Sequence, residues 1–338
     1  MKNKHHVVVE TQRLKYEFDI RRNITVIQGD SATGKTTLVE LLGTYSRFGK
    51  ESGIILQSDV PCVVFGGDAG LWKAVLEAYQ ESIIFIDEDY PFIFSGDFAE
   101  LIRGSSNYYV LITRQPLYNL PYSVQEIYGI RTTGKYHYPE KIYHEFYRIY
   151  NDTRSASGKD VLVLVEDSKS GYQFFSKECK QGECLSVEGN SQFVGRIENA
   201  APDKKVVVIA DGAAFGAYIS NVTAIAKSRK DVMMFFPESF EWLILKSGII
   251  EIKDLENILA EPERFIESSE FFSWERYFTE LLTAATADDS IKRYDKSQLK
   301  PFYFEGKNKE AIIAVLPDEI RGIMEDEDNS TKSITGLG

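Results

Sequence analysis

The sequence predicts an α/β protein with two domains and a helical C-terminal region. Three observations carry this. Apolar runs of strand type alternate with runs of helix type over residues 1–150, and the same alternation returns over 161–250. A small, polar, aperiodic stretch at 151–160 separates the two series and reads as a linker. With 338 residues, the chain is long enough for two domains that each bury a core.

The elements are these, in chain order. Residues 7–9 and 14–20 read as the strands of a hairpin, and 24–28 as a third strand. A helix starts at 36–42. Strands are predicted at 62–65, 82–86 and 108–112, and a helix at 71–79. In the second series the strands are 161–165, 184–187, 205–210 and 232–236, interleaved with helices at 172–179, 192–198, 213–226 and 240–245. Strands that alternate with helices argue for mostly parallel sheets. From 251 to 324 the pattern is helical, best at 274–282 and 309–324. Residues 325–338 are acidic and then Ser/Thr/Gly-rich, and read as a flexible tail.

Composition excludes several classes. The net charge is −12, and it is uneven. The first 150 residues hold 16 basic and 18 acidic side chains, leaving 23 and 33 for the rest, a net of −2 against −10. A generally basic nucleic-acid-coating protein is excluded, because such affinity rests on clustered Lys and Arg. No run approaches the roughly 18 apolar residues of a membrane helix, and the N-terminal residues lack a secretory pattern. Three cysteines, Cys62, Cys179 and Cys184, are too few for a disulfide framework, so a cytoplasmic setting is expected.

The strongest motif is Gly29-Asp30-Ser31-Ala32-Thr33-Gly34-Lys35-Thr36, followed by Thr37. It matches G-x-x-x-x-G-K-[ST], after a predicted strand and before a predicted helix. Its glycines let backbone N–H groups close around phosphates, and the helix N-terminus favours the same charge. Lys35 is expected on the β/γ-phosphates and Thr36 on Mg²⁺. The run ending Phe85-Ile86-Asp87-Glu88 supplies the partner motif, a buried strand that ends in acids. Asp87 is expected to hold the metal, and Glu88 to orient or deprotonate water, with Asp89 nearby. Thr113 or Arg114, after the next strand, fits a γ-phosphate sensor. Arg114 fits equally well an ion pair with Glu88 or Asp87. No N/T-K-x-D loop lies in 88–150, so ATP is the expected nucleotide. Tyr16 and Phe18 are either adenine-stacking aromatics or ordinary sheet residues. The stretch 131–138, basic and aromatic by turns, is either a lid or nucleic-acid contact or a solvated hairpin.

In the second domain, Glu166-Asp167 and Asp211 each come just after a predicted buried strand, 45 residues apart. Parallel strands end at one edge, so Glu166 and Asp211 can converge there as oxygen ligands for Mg²⁺. Cys179 and Cys184 lack a neighbouring His or a second pair and read as ordinary thiols.

These residues carry a family resemblance. The first domain is similar to a minimal additional-strand P-loop ATPase, and its N-terminal hairpin resembles that of ABC and RecF-like domains. It lacks an LSGGQ-like signature. The second resembles a TOPRIM (topoisomerase–primase) domain. The order of parts over roughly residues 1–250 resembles the overcoming-lysogenization-defect nucleases and related anti-phage ATPase–nuclease proteins. The resemblance implies an ATP-controlled, Mg²⁺-dependent nuclease acting on DNA or RNA in phage or mobile-element defence. Glu166 would be the metal-binding or base glutamate, and Asp211 the first acid of a D-x-D motif. Glu238 or Glu241 comes after the fourth strand, where another acid is often kept. The sequence departs from the pattern at Ala213, in place of the second D-x-D acid, and at Ser170, where an acid often stands. A catalytically degenerate domain, TOPRIM-like or receiver-like, that binds a protein partner is therefore the other expectation, with ATP as a switch. P-loop ATPases often complete their site across a subunit interface, so a homo-oligomer is expected.

Overall fold

The computed structural model describes residues 3–29, 33–133, 141–150, 160–202 and 204–325. The chain is α/β and divides into two compact units, Met1–Asn151 with Ala260–Ser273, and Asp152–Leu259 with Trp274–Gly338. Among the described residues, no helix is long and apolar enough to cross a membrane. The three cysteines are free thiols.

The first unit is built on a nine-stranded sheet. Strands β1 (His5–Glu10) and β2 (Leu14–Ile20) form the expected antiparallel hairpin. Thr11 Oγ1 sets the turn by accepting from the Arg13 and Leu14 N–H groups. Strand β3 (Ile24–Ile27) is buried throughout and leads through the glycine loop into helix α1 (Lys35–Phe48). Then come β4 (Ile55–Gln57), β5 (Cys62–Val64), α2 (Trp72–Glu77), β6 (Ile83–Asp87), α3 (Gly96–Arg103) and β7 (Tyr108–Ile112). Strands β8 (Ile127–Thr132) and β9 (Ile142–Arg148) pair antiparallel, with Thr132 opposite His144. Of the 131–138 stretch, residues 134–138 lie outside the described residues.

The strand order is β4-β1-β2-β9-β8-β3-β7-β6-β5. From β8 to β5 all neighbours are parallel, so these five strands share one carboxyl edge. Their apolar runs are nearly continuous because the central strands are buried on both faces. Strand β7 lies between β3 and β6, with Ile112 beside both Ile27 and Asp87. The core gathers Leu38 and Leu42 of α1 against Ile27, Phe85, Val110 and the hairpin's Val7, Val9 and Phe18. The segment Ala260–Ser273 adds to this unit through Asn3 N–H to the Glu263 carbonyl and the Arg103 guanidinium over the Phe272 ring.

The second unit contains a four-stranded, fully parallel sheet in the order β11-β10-β12-β13. Its elements are β10 (Asp160–Val165), α4 (Ser170–Glu178), β11 (Gly182–Ser186), α5 (Phe193–Asn199), β12 (Lys204–Ile209), α6 (Gly216–Ser228), β13 (Val232–Phe235) and α7 (Phe240–Lys246). Helices α8 (Leu255–Ala260), α9 (Trp274–Thr286), α10 (Gly306–Ala314) and α11 (Asp318–Met324) complete the chain's helices among the described residues. One helix expected over 309–324 is two, α10 and α11. Pro317 stands between them, where its ring and missing N–H stop a continuous ladder. The α6 helix starts at Gly216, not 213, because residues 211–214 form a turn closed by the Ala214 N–H on the Asp211 carbonyl.

Phe85 is fully buried and meets Phe18 edge to face. Phe85→Ala should lower the unfolding free energy of the first unit by about 3–5 kcal/mol, measured by guanidinium denaturation. An unchanged midpoint would contradict this core.

Candidate functional site

The phosphate-loop motif spans the end of β3 and the start of α1. Gln28 N–H bonds the Tyr128 carbonyl and fixes the loop's exit from the sheet. Gly29 and Gly34 both have positive φ, +127° and +94°, which a side chain rarely tolerates. At Gly34 space adds to the demand, since a Cβ there would lie 2.9 Å from Tyr16 Oη. Lys35 Nζ turns back over the loop, donating to the Gly29 carbonyl at 2.7 Å and to Thr33 Oγ1 at 3.1 Å. Asp30, Ser31 and Ala32 lie outside the described residues.

Thr33, Gly34, Lys35, Thr36 and Thr37 line a cavity of about 360 Å³ together with Leu14, Tyr16, Arg114 and His144. Arg114 is thus brought to the loop, and it is also tied to the acid motif. Its N–H donates to Glu88 Oε2 at 2.7 Å, and its Nε lies 3.7 Å from Glu88 Oε1. Of the two expectations for Arg114, the ion pair is the one seen, with Glu88, while the side chain also borders the cavity. Thr113 is buried and uses its hydroxyl in a turn with Gln115, which leaves Arg114 as the residue facing the cavity. Asp87 and Glu88 do not line this cavity. Asp87 ends β6 two strands from β3, about 10 Å at the usual strand spacing. Burial raises its carboxyl above the ordinary range, and the Asp89 and Glu88 charges add to this. An exposed Thr36 and one acid across the edge suit a Mg²⁺ ion that takes its other ligands from phosphates and water.

Tyr16 is a buried support of the loop. Its hydroxyl donates to the Gly34 carbonyl at 3.1 Å, and its ring stacks on His144 at 4.4 Å. Phe18 lies in the core, stacked on Phe146. Sequence reasoning missed His144. Its Nδ1 is buried with no hydrogen-bond partner, and burial lowers its pKa. Only the pairing of β9 beside β2 brings it to the loop.

In the second unit, Glu166 comes after β10 and Asp211 after the adjacent β12, at the point where the strand order reverses direction. They converge as expected, with the Asp211 N–H donating to Glu166 Oε2 at 2.9 Å. Gly212 lets the following turn pack against the chain after β13, where its N–H bonds the Pro237 carbonyl. A Cβ there would meet the Phe236 carbonyl oxygen at 2.5 Å. Glu241, on α7, lines the same small cavity of about 20 Å³ together with Ser170 and Lys296. That is room for about one water molecule. Glu241 Oε1 accepts from Tyr294 Oη at 2.5 Å, while its Oε2 is buried without a partner. The Ser170 and Tyr294 hydroxyls are 2.7 Å apart. Lys296 Nζ donates to Glu275 Oε1 at 2.7 Å and lies 3.5 Å from Glu241 Oε1. The hard oxygen donors suit Mg²⁺, and the cation they face is the Lys296 ammonium. Glu275, Tyr294 and Lys296 carry no sequence signal. They arrive from a region read as a plain helical extension.

Burial pushes the Glu166 carboxyl up to about 7, with Glu275 and Asp167 adding to it and the Asp211 N–H opposing. Asp211 is raised in the same direction by burial and by the Glu275, Glu166 and Glu241 charges.

Two outcomes are expected from this geometry. Gly34→Ala places a side chain at positive φ against Tyr16 Oη. With about 1–2 kcal/mol of backbone strain, the unfolding free energy of the first unit should fall by about that much, read by guanidinium denaturation. Separately, folded Glu166 keeps a proton that the unfolded chain releases above the usual 4.5. Stability should therefore fall as pH rises from about 4.5 to about 7. Glu166→Gln should flatten that limb of a Tm-against-pH curve measured from pH 4 to 8; superimposable curves would contradict the assignment. No protein-family model and no curated protein matches the sequence, so the functional reading rests on the chain's own residues.

Proposed function

We propose that the first unit binds and hydrolyses ATP with Mg²⁺ and that its nucleotide state controls the second unit. One observation carries this reading: a glycine loop capped by Lys35 at the edge of a parallel sheet, with β7 inserted between the loop strand and the acid-bearing β6. Lys35 and the α1 N-terminus attract the phosphates. Thr36 and Asp87 supply ligands for Mg²⁺, which when bound neutralises charge on the transferring phosphoryl group. Glu88, oriented by the Arg114 N–H, accepts a proton from water or positions it. Arg114 changes partners between Glu88 and the γ-phosphate, which links occupancy to the β7 end.

For the second unit, the convergence of Glu166, Asp211 and buried Glu241 at one sheet edge supports a Mg²⁺-dependent site that cleaves DNA or RNA, of use in phage or mobile-element defence. The second reading is a switch or scaffold that holds a protein partner without cleaving. It is favoured by Ala213 in place of a further acid and by Ser170, whose hydroxyl is engaged with Tyr294.

Lys35→Ala should weaken ATP binding about 100-fold, the loss of roughly 3 kcal/mol of charge-assisted bonding. Glu88→Gln should keep ATP affinity and slow hydrolysis about 10²–10³-fold. Titration with a fluorescent ATP analogue and a phosphate-release assay separate the two, and unchanged affinity in Lys35→Ala would refute the reading. Nucleic-acid cleavage with Mg²⁺ or Mn²⁺ that is lost in Glu166→Gln selects the nuclease. Absence of cleavage at intact ATP affinity selects the switch.

A further inference from the structure

The acid pocket of the second unit carries its own cation. Five carboxyl groups border or approach it: Glu166, Asp167, Asp211, Glu241 and Glu275. Their chain positions span more than 100 residues, yet Lys296 is paired with two of them and lines the cavity with the others. The segment around Lys296 is fastened on both sides. The Ser170 N–H donates to the Lys296 carbonyl at 2.9 Å, Gln173 bonds the Ser297 carbonyl at 2.8 Å and the Leu299 N–H at 2.9 Å, and Tyr294 spans Ser170 and Glu241. This strap delivers the ammonium to the carboxyl edge of the sheet. Only about one water volume is left beside it, and Glu241, which lines that pocket, has its Oε2 fully buried without a hydrogen-bond partner. An ammonium and a divalent cation a few ångströms apart in such a site repel strongly.

We propose that Lys296 is the resident cation of this pocket and that a divalent, oxygen-seeking cation such as Mg²⁺ or Mn²⁺ enters only by displacing it. The inference rests on reading the acid pocket as a cation site. It adds the regulation of that site: metal occupancy is coupled to movement of the strap around residue 296. No covalent step is involved, and Lys296 acts as a positioning and gating residue.

The test uses full-length protein without nucleotide, so that no metal–nucleotide complex forms at the phosphate loop. Mn²⁺ binding is followed by the loss of the free-ion electron paramagnetic resonance signal. Lys296→Met should bind one Mn²⁺ at least about tenfold more tightly than the unsubstituted protein, and adding Glu166→Gln should remove the gain. Equal Mn²⁺ affinity in the two proteins overturns the gating role and leaves the pocket as a metal site. No Mn²⁺ binding by either overturns the cation-site reading itself, and the inference with it. A second measurement needs no substitution. Acetylation of Lys296 by acetic anhydride, quantified by mass spectrometry, should rise as Mn²⁺ saturates the unsubstituted protein. One bound Mn²⁺ with Lys296 labelling unchanged would also overturn the proposal.

Discussion

A charge cannot sit inside a sheet that is covered on both faces unless it is paired, and this constraint arranges the molecule. Strands β3, β7 and β13 are buried from end to end, and β6, β10 and β12 nearly so. An unpaired ion along any of them would cost several kcal/mol. Ionised groups therefore collect where strands end. Because these strands are parallel, they end at one edge. Lys35, Asp87, Glu88 and Arg114 gather at one such edge, and Glu166 and Asp211 at the other.

The two edges have opposite chemistry. At the first, Lys35 and Arg114 face a cavity of about 360 Å³ beside the N-terminus of a 14-residue helix, an arrangement that calls for an anion. At the second, Glu166, Asp167, Asp211 and Glu241 border about 20 Å³, and the Lys296 ammonium that lines it pairs with Glu241 and Glu275. Burial raises the Glu166 and Asp211 carboxyls, and the neighbouring carboxylates add to the shift. The same strand-end logic thus gathers cationic side chains at one edge and carboxyl groups at the other. The residues just past each strand make the difference: a glycine turn into a helix after β3, and acids after β10 and β12.

The features legible in the sequence are the local ones. The glycine loop, the acids after β6, the hairpin and the paired ends of β10 and β12 each lie within a few residues of the strand that positions them. The pattern therefore carries them. The sheet's antiparallel extension through β8 and β9 was not legible beyond a hairpin alternative at 131–138, and β4 and α3, both short, are absent from the predicted elements. The side chains of β4 and β9 are half-exposed or mixed, so apolar alternation is weak. His144, Tyr294 and Lys296 reach their sites only through tertiary packing, 128 residues after Tyr16 for His144 and 130 after Glu166 for Lys296. Spacing along a chain holds no information about such meetings. The single helix expected at 309–324 failed for a local reason that was in view, Pro317.

The extension missed by pattern is also what supports the phosphate loop. Tyr16 of β2 and His144 of β9 are register partners, stacked ring on ring, and both pack against Gly34. The Gly34 carbonyl accepts from Tyr16 Oη at 3.1 Å and from the Leu38 N–H at 3.0 Å. A carbonyl oxygen has two lone pairs, so this one is fully used in tying the first turn of α1 to the hairpin. Any shift of the loop has to strain one of those bonds or carry β2 and β9 with it. The half of the sheet around the parallel β2–β9 pair is thereby mechanically tied to the glycine loop, although it contributes no residue to the motif.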